Sequence, residues 1–422
     1  LAGRAFLLSK HVQVLQRIGA QDERGNPMST VSNQSAISRR QVWSAVASMA
    51  MCAAMLIASE FMPVSLLTPI ASDLRASVGM AGQAISISGL FAVATSLIIP
   101  SVTSRLDRRH VLAGLAGLML MSLVLIAEAR SFEMLMAARA LLGVTVGGFW
   151  SLATATIMRL VPEESVPKAL GVLYTGNAVA TSFAAPIGSY LGSVIGWRGV
   201  FWALVPIVAI NLVMLLVTLP PMKTRASQDG GANALALLRR PHVSFAMLAV
   251  MLTFAGAFEV FTYFRPFFET YTHVGVLRLS VLLLGMGLAG FAGTYGASAL
   301  IGKRLFHLLM ALPVALAVVT LIMLPAGHSF GAAALLAIAW GAVNAAIPVA
   351  WSTWLSKGVK DKPESGGGLM VASIQLSIMV GAELGGTLLD HYSIGATFLS
   401  GAALLVLSAI VVGSGRRLRP AV

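Results

Sequence analysis

The sequence predicts an all-α membrane protein with twelve transmembrane helices in two pseudo-symmetric bundles of six. Three observations predict it. The 422 residues are 57% apolar and only 11% charged, with a mean hydropathy of +0.85, beyond what soluble domains reach. Apolar runs of membrane length recur twelve times, each sufficient for the ~20 residues of a helical crossing. The two halves also echo each other at one offset of 198 residues.

Residues 1–42 are expected to be a cytoplasmic tail. Within it, residues 1–27 differ in character from the rest, and Met28, followed by a Ser/Asn/Gln stretch and Arg39-Arg40, is expected to be the true start. The apolar run after Arg40 is too long for a cleavable signal and continues as a span. The N-terminal bundle, 43–220, holds spans at 43–71, 79–104, 110–129, 133–158, 167–195 and 199–220. Pro63 and Pro69 are expected to kink the first, Arg139 lies inside the fourth, and Ala184-Ala185-Pro186-Ile187-Gly188 kinks the fifth. Residues 221–241, rich in Pro, Gly and charge, read as a cytoplasmic linker. The C-terminal bundle, 242–414, holds spans at 242–271, 277–302, 306–326, 328–356, 365–391 and 394–414, with kinks expected at Pro266 and Pro348, and 415–422 form a cytoplasmic tail.

Charge supplies the orientation. With the first span entered from the cytoplasm, 19 Lys and Arg fall in cytoplasmic segments after residue 27 and 4 in the opposite loops. This is the positive-inside bias and places both termini inside. It also explains the net charge of +13 without nucleic acid as a partner. The single Cys52 excludes an internal disulfide, and seven scattered histidines show no metal spacing. No metal or cofactor is expected.

The repeat offset places Arg105 on Lys303, Gly143 on Gly341, Arg159 on Lys357, Asn177 on Gln375 and Gly188 on Gly386. Parallel repeats of six spans point to alternating access, with a binding site near mid-membrane between the halves.

Three motifs carry a resemblance. Arg105-Leu106-Asp107-Arg108-Arg109 follows span two, Arg139-x-x-x-Gly143-x-x-x-Gly147 runs along span four, and Gly176 leads to Ala185-Pro186-x-Gly188 in span five. Together they resemble the major facilitator superfamily, in its twelve-span drug:proton antiporter branch. The loop is a shortened form of the superfamily's pattern, and Ala185 stands where Gly is usual. A narrower resemblance, to bacterial purine ribonucleoside efflux pumps and neighbouring sugar efflux permeases, covers nearly all of 42–415. It rests on Glu60-Phe61-Met62-Pro63, Gly147-Gly148-Phe149-Trp150, Gly196-Trp197-Arg198, Phe261-Thr262-Tyr263-Phe264-Arg265-Pro266 and Trp351-Ser352-Thr353-Trp354. The resemblance implies a monomer in a bacterial inner membrane.

Glu60 is the leading candidate for proton coupling. Inside a span, desolvation favours its neutral form and permits reversible protonation. Arg139 is expected at similar depth, pairing with ionised Glu60; the alternatives are a permanent structural pair or a carboxyl that merely bonds a neighbouring helix. Arg139, Gly143, Val146 and Trp150 share one helical face, which suggests a wet cavity. The resemblance implies that Asp107 with Arg105, Arg108 and Arg109 forms a charge lock at the inner gate, against an ordinary exposed loop. It likewise gives Gly176, Pro186 and Gly188 as the antiporter motif. Glu259, off the repeat offset by one residue, reads as a second proton site or a contact for substrate; it and Glu383 depart from the nucleoside-pump pattern. Arg265 reads as an outer guard or a snorkelling side chain.

A nucleoside site needs aromatic faces and amides. Trp150, Tyr263 and Trp351 supply the first; Asn177, Asn344 and Gln375 supply the second. The expected function is export of purine ribonucleosides, of inosine or guanosine type, by proton antiport. Sugar or chloramphenicol-type drug efflux is the alternative within the superfamily. A membrane enzyme or a non-transporting receptor is the alternative outside it, and no loop is large enough for a catalytic domain.

Overall fold

Prolines, glycines and capping side chains decide where the helices begin and end. The structure is a computed structural model and describes residues 39–103, 106–222, 232–413 and 415–419. Helix α1, Arg39–Phe61, gives way to a 3₁₀ turn, Met62–Leu66, and a short extension, Leu67–Asp73. Pro63 and Pro69 cause the irregularity, because each lacks the N–H that would bond the carbonyl four residues earlier. Helix α2 is Val78–Val102, α3 is Arg108–Ala127 and α4 is Phe132–Leu160. Asp107 caps α3 by accepting the Arg109 amide at 2.9 Å, and Ser131 caps α4 by accepting that of Met134 at 3.2 Å.

The helical run Val166–Thr218 has 53 residues, about 80 Å at 1.5 Å per residue and too long for one crossing of a ~30 Å hydrocarbon core. It breaks at Gly196, whose φ is 74°, a conformation that glycine adopts without steric cost. The two parts are α5 (166–195) and α6 (197–218). Helix α7, Pro241–Thr262, ends at Tyr263 and resumes as Phe264–Thr270. Val276–Ala326 breaks at Arg304 into α8 (276–303) and α9 (305–326). Helices α10, Phe330–Gly358, α11, Pro363–His391, and α12, Ile394–Val412, complete the chain. Among the described residues, eleven segments are long and apolar enough to cross a membrane. Dividing the longest at Gly196 gives the twelve expected spans in a multi-pass membrane protein.

Two details differ from expectation. The turns expected between α5 and α6 and between α8 and α9 are single-residue breaks in continuous helix. The expected linker contains a short helix, Ala232–Ala236, and a 3₁₀ turn, Leu237–Arg239, because Ala-Asn-Ala-Leu-Ala-Leu-Leu is rich in helix formers. Residues 223–231 of that linker, and the tail before Arg39, lie outside the described residues.

The repeat offset reappears as packing. Helix α2 lies against α4, and α8 against α10. In the first pair Gly143 sits on the Ser88 carbonyl; in the second Gly341 sits on that of Met286. Both partners are displaced by 198 residues. Gly188 meets Ser65 and Gly386 meets Tyr263, again at the same offset. Between the halves, Gly89 of α2 approaches Met379 of α11, while Gly287 of α8 approaches Ser182 of α5. Small residues let these backbones close together where apolar burial gives no net drive between helices.

Two ends of the molecule can be distinguished. The near end carries the start of α1; the far end carries the connections after α1, α3, α7 and α11 and the α5–α6 elbow. Among the described residues, the side-chain hydrogen bonds between the halves lie from mid-helix to the far end. They join Glu60 to Gln375, Ser86 to Met379, Gln83 to Glu383, Thr68 to Glu269, Arg265 to Ser65 and Asp390 to Ser77 and Gly79.

Candidate functional site

The kink in α1 builds the site. Pro63 leaves the Ser59 carbonyl without its usual helical donor, and the 3₁₀ turn withdraws the one due to Glu60. Arg139 of α4, fully buried, fills both vacancies. Its Nη1 donates to Ser59 O at 2.8 Å and its Nη2 to Glu60 O at 3.1 Å. Its Nε donates to Ala84 O of α2 at 2.8 Å. One planar fork therefore clasps α1 to α2, a geometry that lysine lacks.

The same logic recurs at Pro69, which orphans the Ser65 carbonyl. Arg265 of α7 donates to that oxygen. Its Nε also pairs with Glu269 at 2.7 Å, and Glu269 accepts Thr68 Oγ1 at 2.6 Å. Arg265 is only 7% exposed, so it is an inter-half clasp rather than a snorkelling side chain.

Glu60 is 2% exposed. Its Oε1 accepts Gln375 Nε2 of α11 at 3.3 Å, across the boundary between the halves. The expected Arg139–Glu60 ion pair is not among the three ion pairs formed by described residues. The guanidinium takes main-chain oxygens because the prolines have left them unpaired. Phe61 meets Phe258 with ring centroids 5.4 Å apart and Phe261 at 6.3 Å, both from α7. A carboxyl and an amide thus meet at the boundary between the halves, and the residue next to that carboxyl packs its ring on two rings of α7.

The other expected site residues divide into three sets. Trp150 stays partly exposed and stacks on Tyr174 at 5.9 Å, with the planes 15° apart. Asn177 on α5 and Asn344 on α10 are also partly exposed. Tyr263 and Trp351, expected to stack on cargo, present no free face in this conformation. Tyr263 is fully buried, donates to Ala382 O at 2.8 Å and fills the space beside Gly82 of α2. Trp351 is 2% exposed and packs edge-on to Trp354. Glu259, expected to contact protons or substrate, is fully buried among α7, α11 and α12.

Gly176 lies against the Ala50 carbonyl of α1, Pro186 sits within an unbroken α5, and Gly188 faces Met62 and Ser65. These three shape the α1–α5 seam. Asp107, besides capping α3, accepts the Met222 amide at 3.0 Å. Arg109 donates to Leu216 O, and Arg108 Nη1 reaches Leu152 O at 3.5 Å. These partners lie in the N-terminal half and at the start of the linker, while Arg105 lies outside the described residues. The sequence does not mark Phe61 and Phe258 as site residues; their only signal is that one ring adjoins Glu60 and the other stands 198 residues after Glu60.

Two repeated halves, a kinked first helix and a buried carboxyl at their boundary define a membrane carrier of the secondary-transporter class. Residues 49–367 match the Major Facilitator Superfamily, and the chain belongs to that family of transporters, which are not enzymes. It is 46% identical over 372 residues to Transcription regulatory protein OpdE of Pseudomonas aeruginosa, covering 87% of this chain and 92% of that one. It is 38% identical over 381 residues to Purine ribonucleoside efflux pump NepI of Salmonella paratyphi B, covering 90% and 96%. Its fold matches the crystal structure of a mutant nucleoside transporter NupG with a TM-score of 0.72 at 13% identity, covering 87% and 98%. That last likeness concerns the fold alone.

Proposed function

We propose that this protein exports purine ribonucleosides across a bacterial inner membrane by proton antiport, as a monomer with both termini in the cytoplasm. The observation that carries the mechanism is the buried contact between Glu60 and Gln375, which ties one half to the other through a titratable group. In this reading the bundles 43–220 and 242–414 rock about that contact. Protonation of Glu60 favours one orientation and cargo the other, since a ligand shifts an equilibrium only through differential affinity. By the positive-inside bias the far end is outward, so the inter-half hydrogen bonds describe a conformation shut toward the outside.

The rings of Phe61, Phe258 and Phe261, packed across the same boundary that Glu60 and Gln375 bridge, suit a planar base, and partly exposed Trp150, Asn177 and Asn344 are further candidates for contact with it. The name of the 38% identical relative supports purine cargo. The name of the 46% identical relative is compatible with it, because a carrier that exports an inducer alters transcription without touching nucleic acid.

The test is uptake of inosine, guanosine, arabinose and chloramphenicol into everted vesicles under an imposed pH gradient. Purine uptake that collapses with the gradient is expected, with loss of gradient dependence in Glu60→Gln. Sugar or drug uptake without purine uptake overturns the cargo.

A further inference from the structure

Glu259 is a buried acid that the clasp at Glu60 leaves out. It is 0% exposed, and its carboxyl oxygens have no hydrogen-bond partner other than the Ser400 hydroxyl. Gly385 of α11 and Gly401 of α12 close over its side chain; a Cβ at Gly385 would lie 2.9 Å from Glu259 Cγ. Among the described residues no cation forms an ion pair with it. The titratable group next to it is Tyr263, one turn further along α7, which in turn has Glu383 and Asp390 of α11 as its other acidic neighbours. Helix α12 faces it with the Ser400 hydroxyl.

An unpaired carboxylate in such surroundings is costly, so a charge here needs either a partner or a proton. Its place in the fold matches that of Glu60. Each acid occupies the last turn of a first-in-bundle helix, ahead of a break at Met62 in one half and at Tyr263 in the other. Tyr263, at the second break, rests on Gly82 of the opposite half. Parting the halves at the far end removes that cover.

We propose that Glu259 is a second reversible proton site, one for each half of the transporter. In the conformation described, the Glu259 O–H bond is intact. When the halves part at Tyr263 and Gly82 and water enters, that bond breaks heterolytically, the proton passes to water as hydronium, and the carboxylate remains. The reverse step restores the acid before the seam closes. This inference rests on the proton-antiport reading and extends it from one titrating carboxyl to two.

The test is infrared difference spectroscopy of the purified full chain across an acid–alkaline jump, joined to counting of protons per substrate in liposomes. The wild type is expected to show two carboxylic C=O signals. Glu60→Gln removes one, Glu259→Gln removes the other, and Glu259→Gln halves the protons moved per substrate. Glu259→Asp, which keeps an acid, displaces its signal and serves where the amide variant fails to fold. If Glu259→Gln and Glu259→Asp leave the signals unchanged while Glu60→Gln removes one, Glu259 is a permanently protonated packing group and the inference falls. If neither Glu60→Gln nor Glu259→Gln changes them, the proton-antiport reading falls as well.

Discussion

Asp390, near the end of α11, accepts the backbone amide of Gly79 in the first turn of α2 at 3.0 Å. Its second oxygen meets the Ser77 hydroxyl, which itself accepts the Met80 amide at 3.0 Å. A carboxylate from one half thus caps a helix of the other, and the helix dipole reinforces the contact. Gly79 is required there, since a Cβ would run into the carboxylate and the Gly386 carbonyl.

Loss of that cap should loosen the far end. Asp390→Ala is expected to cost about 0.5–2 kcal/mol, a shift of about 2- to 30-fold toward the separated arrangement. Spin labels at Ser72 and Thr270, both exposed, report it as a longer distance; native Cys52 is buried and stays silent. An unchanged distance distribution would show that the cap does not hold the seam.

The clasp at Arg139 makes a second expectation. Arg139→Met leaves the carbonyls of Ser59 and Glu60, freed at the break in α1, without their donor, each worth about 1–3 kcal/mol, and removes the tie to Ala84 of α2. Pro63→Ala restores an N–H for Ser59, so the double variant should recover part of the loss. Chemical unfolding of the four proteins in a mutant cycle measures the coupling. Strict additivity would mean that the arginine acts through charge alone.

Repeat-related glycines should respond alike. Gly143→Ala and Gly341→Ala push a methyl onto the carbonyls of Ser88 and Met286, and each is expected to destabilise by about 1–3 kcal/mol. Gly171→Ala is the control, because a Cβ there meets nothing within 4 Å. Thermal unfolding midpoints decide; a Gly171→Ala loss as large as the others would refute the packing account.

A near-end ion pair should be indifferent to physiological pH. Arg240 holds Asp361 in two hydrogen bonds of 2.9 and 2.6 Å, and this bonding lowers the carboxyl to about 2. A depressed carboxyl contributes fully above its unfolded value of about 3.9, and the contribution is lost only as pH falls through the folded value. Asp361→Asn should therefore leave the shape of the transport–pH curve between about pH 5 and 9 unchanged. A displaced curve, measured in vesicles, would contradict this.

Much of this architecture is legible in the residues. Length and spacing of apolar runs determine twelve crossings, and the 198-residue offset survives as matched contacts at Gly143 and Gly341. Arg139 is legible as buried because a lone arginine within a span must find partners. Its partners are harder to read. Pro63 announces that Ser59 lacks a donor, yet only the tertiary arrangement says which of the other helices supplies one. Aromatic roles are ambiguous for another reason. Tyr263 and Trp351 fill seams with the same rings that would stack on cargo, so residue type does not separate a wall from a site. The role of Asp390 is not legible in the sequence, because capping another helix requires only proximity, which leaves no periodic trace.

The elbow at Gly196 has a practical corollary. With a single pair of torsions joining α5 to α6, an inserted residue has no loop to lengthen and must instead rotate one crossing against the other. Epitope tags or protease sites should be tolerated poorly at 195–197 and better at 272–275, where the connection between α7 and α8 is irregular and can take up extra chain.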